Sequence, residues 1–136
     1  MPKTKRKNFT YARGRRKEAS ARVRLMKGKG EMLVNDKPFE KYFPGITGKL
    51  LLERLFKAID AKDKFYATIK VKGGGKVGQL DAVIHALAKT FVALDKEKYK
   101  LPLKKIGVLT RDAREKERRK VGTGGKARRK KQSPKR

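Results

Sequence analysis

Positive charge in this chain is concentrated at its two ends, and that distribution limits what it can fold into. Residues 1–30 hold 12 Lys or Arg and one acid, Glu18, for a net of +11. Residues 104–136 hold 15 basic and 3 acidic residues, a net of +12. Between them, residues 31–103 hold 14 basic and 9 acidic residues, a net of only +5. Low hydrophobicity with high net charge cannot offset the entropy of ordering, so the flanks read as arms that order on a polyanion. The middle has the composition of an ordinary folded domain. The expected organisation is a basic leader over 1–10, a globular α/β domain over 11–103, and an extended basic tail over 104–136.

The full-chain net charge of +28 disfavours a compact state through self-repulsion, and a polyanionic partner relieves it. The 136 residues contain no cysteine, which removes disulfides, thiolate chemistry and Cys-based zinc sites. No run of 18 apolar residues is present, so no membrane span is expected. The basic first 17 residues lack the apolar stretch of a secretory signal.

Periodicity organises the middle. From Glu18 to Lys27, Ala19, Ala21, Val23 and Leu25 alternate with Ser20, Arg22 and Arg24, which predicts a strand with one buried and one wet face. Gly28-Lys29-Gly30 followed by Met32-Leu33-Val34 predicts a hairpin with that strand, broken by Asn35-Asp36. Pro38 to Gly45 reads as a turn-like link that packs its aromatics on the core. Thr47 is placed to cap a helix carrying Leu51, Leu52, Leu55 and Ile59. Phe65 to Lys72 alternates again, with Ala67, Ile69 and Val71 opposite Thr68, Lys70 and Lys72. After Gly73-Gly74-Gly75, the stripe Leu80, Val83, Ile84, Leu87, Ala88, Phe91 and Val92 has the spacing of a core-facing helix ending near Asp95. The charged run Lys96 to Lys100 follows. Past Leu103 there is too little apolar residue to build a core.

Several motifs bear on function. Gly73-Gly74-Gly75-Lys76-Val77-Gly78 fits the G-x-G-x-x-G pattern between a strand and a helix. Its acid, Asp95, falls at a helix end rather than after a second parallel strand, and Gln79 stands where a phosphate-binding loop needs Lys. A tight turn, or backbone amides of Gly74 and Gly75 against an RNA phosphate with Lys76 and Gln79 beside them, fits better. His85 is the lone histidine, too little for a zinc site, and no nucleophile or substrate pocket accompanies it. It reads as solvated or RNA-facing. Arg13, Arg15, Arg16 and Lys17 continue onto Arg22 and Arg24 of the wet strand face, a surface suited to bidentate phosphate contact. In the tail, Arg111, Arg114, Arg118, Arg119 and Lys120 precede a Gly-rich break, and Lys126, Arg128, Arg129, Lys130 and Lys131 follow it. Those blocks lack aromatics, so phosphate contact rather than base stacking is expected of them. Charge alone does not choose RNA over DNA. A nucleoid-type DNA binder remains a runner-up, though neither a dimer interface nor a groove-reading wedge is visible. A nucleotide-dependent enzyme ranks third.

Taken in order, the motifs resemble a known family, the ninth protein of the bacterial small ribosomal subunit. Gly14-Arg15-Arg16-Lys17-Glu18-Ala19 with Ala21-Arg22-Val23-Arg24 looks like its N-terminal motif. Val34-Asn35, Tyr42-Phe43, Gly73-Gly74-Gly75, Gly78-Gln79 and His85 fall at family spacing. Leu109-Thr110-Arg111-Asp112, Arg114, Glu117-Arg118, Gly122, Lys126-Ala127-Arg128-Arg129, Gln132 and Lys135-Arg136 resemble its tail. Ile84 departs from the pattern, standing where the family usually has Arg, and Ser133-Pro134 replaces an aromatic-Ser pair. The resemblance implies an α+β two-layer sandwich, a small β-sheet with helices packed on one face. It further implies likeness to the second domain of ribosomal protein five, with a left-handed βαβ crossover, and a long extended basic C-terminal tail. It implies a structural, non-enzymatic role without a cofactor, on small-subunit ribosomal RNA in the head of a cytoplasmic ribosome, beside neighbouring head proteins. Lys135 and Arg136 would approach P-site tRNA.

Overall fold

The computed structural model describes residues 9–61 and 63–118. In chain order the elements are β1 (Thr10–Arg16), β2 (Ala19–Lys27), β3 (Leu33–Val34), β4 (Lys37–Pro38), α1 (Phe39–Tyr42), α2 (Ile46–Ile59), β5 (Phe65–Lys72), α3 (Lys76–Leu94) and α4 (Lys96–Lys105). The five strands form one mixed sheet in the order β1-β2-β5-β3-β4. β1 and β5 both pair antiparallel with β2, and β3 pairs parallel with β5. α3 lies against β1, β2 and β5, while α2 and α4 pack on α3 and on each other. The architecture is α+β, with a sheet layer and a helical layer.

The alternation in β2 and β5 appears as expected. Ala19, Ala21, Val23, Leu25, Ala67, Ile69 and Val71 are buried under α3, and their neighbours in sequence face outward. At the centre of the core, Phe91 of α3 meets Phe56, Phe65 and Tyr99 edge-on, with ring centroids 5.3 to 5.8 Å apart. A fully buried side chain of this size contributes about 1.5–3 kcal/mol, and such edge-to-face pairs add to it. α3 is long and apolar enough to cross a membrane. Its burial between the sheet and the other helices accounts for that composition.

Small residues set the layer spacing. Gly14 of β1 is buried beneath α3, and a β-carbon there would come within 2.6 Å of the Ala86 backbone nitrogen. The helix can approach the edge strand backbone to backbone only because that atom is missing.

Two sequence expectations are corrected. β2 does not form a hairpin with Leu33–Val34. It is held along seven residues by β1 and eight by β5, and a two-residue strand cannot compete for either edge. Gly28 instead turns the chain away, its amide donating to the Lys64 carbonyl at 2.9 Å. The hairpin here is β3–β4, whose turn residues Asn35 and Asp36 both take positive φ, 49° and 66°. Thr47 is not a cap, because α2 starts one residue earlier from Gly45 at φ 109°, without a side-chain capping bond. The run Lys96 to Lys100, to which the sequence pattern assigned no element, is the first half of α4. The Asp95 carboxylate accepts from the Lys98 amide at 3.3 Å, and Tyr99 and Leu103, four apart, are buried.

Candidate nucleic-acid interface

The outward face of the sheet follows from strand register, since directly paired residues share a face. Arg13, Arg22 and Lys70 are paired neighbours across β1, β2 and β5. Tyr11, Arg24 and Thr68 form the row on one side of them, and Arg15, Ser20 and Lys72 the row on the other. This face therefore carries six cations: Arg13, Arg15, Arg22, Arg24, Lys70 and Lys72. Among the described residues, no outward position of these three strands is Asp or Glu. Cross-strand neighbours lie about 5 Å apart, and like charges at that range destabilise one another. Such a surface is stabilised by an external polyanion.

Two of the six cations, Lys70 and Lys72, were not among the candidate contacts drawn from the sequence. Their alternation marks them as wet, but only the pairing of β5 with β2 brings them beside Arg22 and Ser20. Aromatic groups border the same face. Tyr11 is 49% exposed, and the Arg24 guanidinium lies 5.1 Å from the centre of the Phe9 ring.

The glycine turn sits at one end of this face, beside the Lys17-Glu18 tip of the β1–β2 hairpin. Gly73 and Gly74 take φ of 81° and 63°, and a β-carbon on Gly73 would come 2.7 Å from the Glu18 carbonyl oxygen. Gly75 has open space around it and caps α3 without a side-chain acceptor. Gln79 ties the turn down by donating to the Gly73 carbonyl at 3.0 Å, and its amide oxygen accepts from the Tyr42 hydroxyl at 2.9 Å. Asn35 extends the network, donating to the Val71 carbonyl at 3.0 Å and accepting from the Val71 amide at 2.9 Å. The Lys76 ammonium rests 3.5 Å from the Tyr42 ring centre. Gln79 and Lys76 thus have intramolecular partners that their sequence context did not reveal.

A third group holds the root of the tail against α3. Arg16 points inward from β1, its side chain 13% exposed, and pairs with Asp112 at 3.0 Å and Asp81 at 3.6 Å. It also donates to the Arg114 carbonyl at 3.0 Å. Arg114 in turn grips the Asp112 carboxylate with two nitrogens, at 2.7 to 3.1 Å. These bonds hold the Asp112 carboxyl well below its ordinary pKa and raise that of Arg114. His85 Nε2 lies 3.2 Å from the Leu109 carbonyl and donates to it, while Nδ1 is buried without a partner. Burial lowers the pKa of His85 below 6.5, and Lys89 and Arg111 lower it further against the opposing pull of the Leu109 carbonyl. Ile84, beside His85 on α3, is buried. Arg111, Arg114 and Arg118 are exposed. Arg119, Lys120, Lys126, Arg128, Arg129, Lys130, Lys131, Lys135 and Arg136 lie outside the described residues.

The three groups occupy an outward sheet face, the glycine end of that face, and the tail root on the helical side. Among the described residues, no cluster of His, Cys, Asp or Glu is arranged to hold a metal. The family model for ribosomal protein S9/S16 matches residues 14–136. The chain belongs to the ribosomal protein S9/S16 family. The small ribosomal subunit protein uS9 of Maridesulfovibrio salexigens is 45% identical over 119 residues, covering 88% of this chain and 91% of the relative. The uS9 protein of Thermus thermophilus is 45% identical over 112 residues, covering 82% and 87%. The uS9 protein of Solidesulfovibrio magneticus is likewise 45% identical, over 117 residues covering 86% and 89%. Membership makes this a ribosomal structural protein and not an enzyme. The glycine motif is accordingly a turn and not a nucleotide fingerprint.

Proposed function

We propose that this chain anchors in the head of the small ribosomal subunit by laying its outward sheet face and both basic arms on ribosomal RNA. The observation that carries the reading is the acid-free row structure of that face, with Arg13, Arg22 and Lys70 in direct register. Arg contributes a planar fork that grips phosphate oxygens, and the sheet holds several forks at fixed spacing. Lys17, Gly74, Gly75 and Lys76 extend the surface at the hairpin end, with Gly75 leaving its backbone open to an approaching phosphate. Arg16 and His85 serve indirectly, by directing the exit of the tail. Residues 119–136 add further phosphate contacts as they run between RNA helices, and Lys135 and Arg136 reach P-site tRNA. Neighbouring head proteins and a cytoplasmic ribosome complete the setting. The finer fold expectation, a left-handed βαβ crossover as in the second domain of ribosomal protein five, attaches to the β3–α2–β5 unit.

Binding to small-subunit RNA is expected to be strongly salt-dependent. With six to ten phosphates contacted, affinity should fall about 10³–10⁵ between 50 and 200 mM salt. Filter binding that scarcely changes over that range rejects the reading. For the tRNA role, small subunits reconstituted with a chain ending at Pro134 should assemble normally but release P-site tRNA faster. Equal release rates remove that role.

A further inference from the structure

A cleft of about 700 Å³ opens between the β3–β4 edge of the sheet and α2. Met32, Leu52, Phe56 and Phe65 line it, each only partly covered by the domain. Its rim carries Glu31, Glu40, Glu53, Asp60 and Asp63, with Lys49 and Lys57 the only cations among the described lining residues. Five carboxylates against two ammonium groups leave the described lining with a net charge of −3 in a chain whose total is +28. Five of the chain's thirteen acids therefore surround one apolar cleft, while the outward positions of β1, β2 and β5 hold none. All five are exposed. Among the described residues the ion pairs are Arg16–Asp81, Arg16–Asp112 and Arg114–Asp112, so none of the five is paired with a described cation.

We propose that this cleft docks a cationic segment of a neighbouring ribosomal protein, one that carries aliphatic or aromatic anchors between Lys and Arg residues. Charge complementarity selects the occupant. RNA would bring phosphates against five exposed carboxylates, and like-charge juxtaposition opposes it. The chain's own residues 119–136 are cationic, but Val121 is their one large apolar side chain, too little to fill an aromatic-floored cleft. A basic segment with bulky anchors satisfies both the rim and the floor. The anchors bury in the cleft while the surrounding carboxylates set register and reject acidic competitors.

The inference rests on the chain's place in a small subunit, and one experiment separates the two. A photo-reactive benzophenone side chain is installed at Lys49 of the full chain, and small subunits are isolated and irradiated. The expected product joins Lys49 to a net-positive protein segment bearing a bulky apolar residue. In subunits carrying Glu40→Lys with Glu53→Lys, its yield should fall at least tenfold with the chain's stoichiometry unchanged. If that chain does not enter subunits, Glu40→Gln with Glu53→Gln replaces it, and a yield below half supports the proposal. Cross-links to RNA, to residues 119–136 or to a second copy overturn the docking proposal, as does no cross-link or a yield that ignores the charge changes. Absence of the wild-type chain from small subunits would instead break the proposed function.

Discussion

The two faces of the sheet differ in what a residue on each must do. On the inner face Gly14, Ala19, Ala21 and Ala67 are small, and α3 comes close enough to seal the core. On the outer face the paired positions are Arg13, Arg22 and Lys70, long cations that repel one another and contribute nothing to packing. One strand therefore alternates at every step between a residue that packs and one that, in the proposed function, binds RNA. A substitution's consequence should depend on its parity along the strand more than on its chemistry.

The largest effect is expected on the inner face. Gly14→Val would place three carbons where α3 already touches the strand, within 2.6 Å of the Ala86 nitrogen for the first of them. Overpacking of a tight core costs about 1–3 kcal/mol even where side chains can adjust, and here the neighbour is backbone. The variant should lose at least that much stability in urea titration. A wild-type unfolding midpoint would refute the close approach of α3 to β1.

The outer face should behave oppositely. Replacing Arg13, Arg22 and Lys70 together by Ala removes mutual repulsion, so the unfolding midpoint should hold or rise slightly. The slope of log affinity against log salt for small-subunit RNA should drop by up to about three units, one or less per cation. If stability collapses while the slope stays fixed, the assignment of the two faces is reversed.

What could be read from sequence follows the same division. Period-two alternation in Glu18–Lys27 and Phe65–Lys72 exposed both the buried set and the wet cations, and the 3.6-residue stripe exposed α3. β1 carried no such signal, since its inward positions Thr10, Ala12, Gly14 and Arg16 include no large apolar residue. α4 has only two buried residues, Tyr99 and Leu103, and its composition otherwise reads as solvated charge. Strand order was out of reach because two-residue β3 joins β5 through pairing that no local pattern encodes. Within the site, Arg16 shows the limit most sharply. In sequence it belongs to a phosphate-binding run, yet its inward register and partners 96 and 98 residues away make it a clasp for the tail.

That clasp supplies the smallest and most selective test, at His85. The neutral ring donates from Nε2 to Leu109 and keeps a bare, buried Nδ1. Protonation would add a second N–H with no acceptor in reach, next to Lys89 and Arg111. Below pH 6.5 the unfolded chain therefore binds a proton that the native ring resists. The native state holds fewer protons, and stability falls as pH falls. The contribution is complete above pH 6.5 and is lost as pH drops through the lowered native value. Asp112, the perturbed acid of the clasp, titrates below its ordinary 3.8 and stays ionised throughout this window. Between pH 7.5 and 5 the wild-type unfolding midpoint should thus decline more than that of His85→Gln, whose amide can still donate but cannot titrate. The backbone amides near Leu109 should lose hydrogen-exchange protection over the same range in wild type alone. Parallel pH profiles for the two proteins would mean that His85 titrates in the native state as it does in the unfolded chain, free of Leu109, and that Arg16 alone holds the root of the tail.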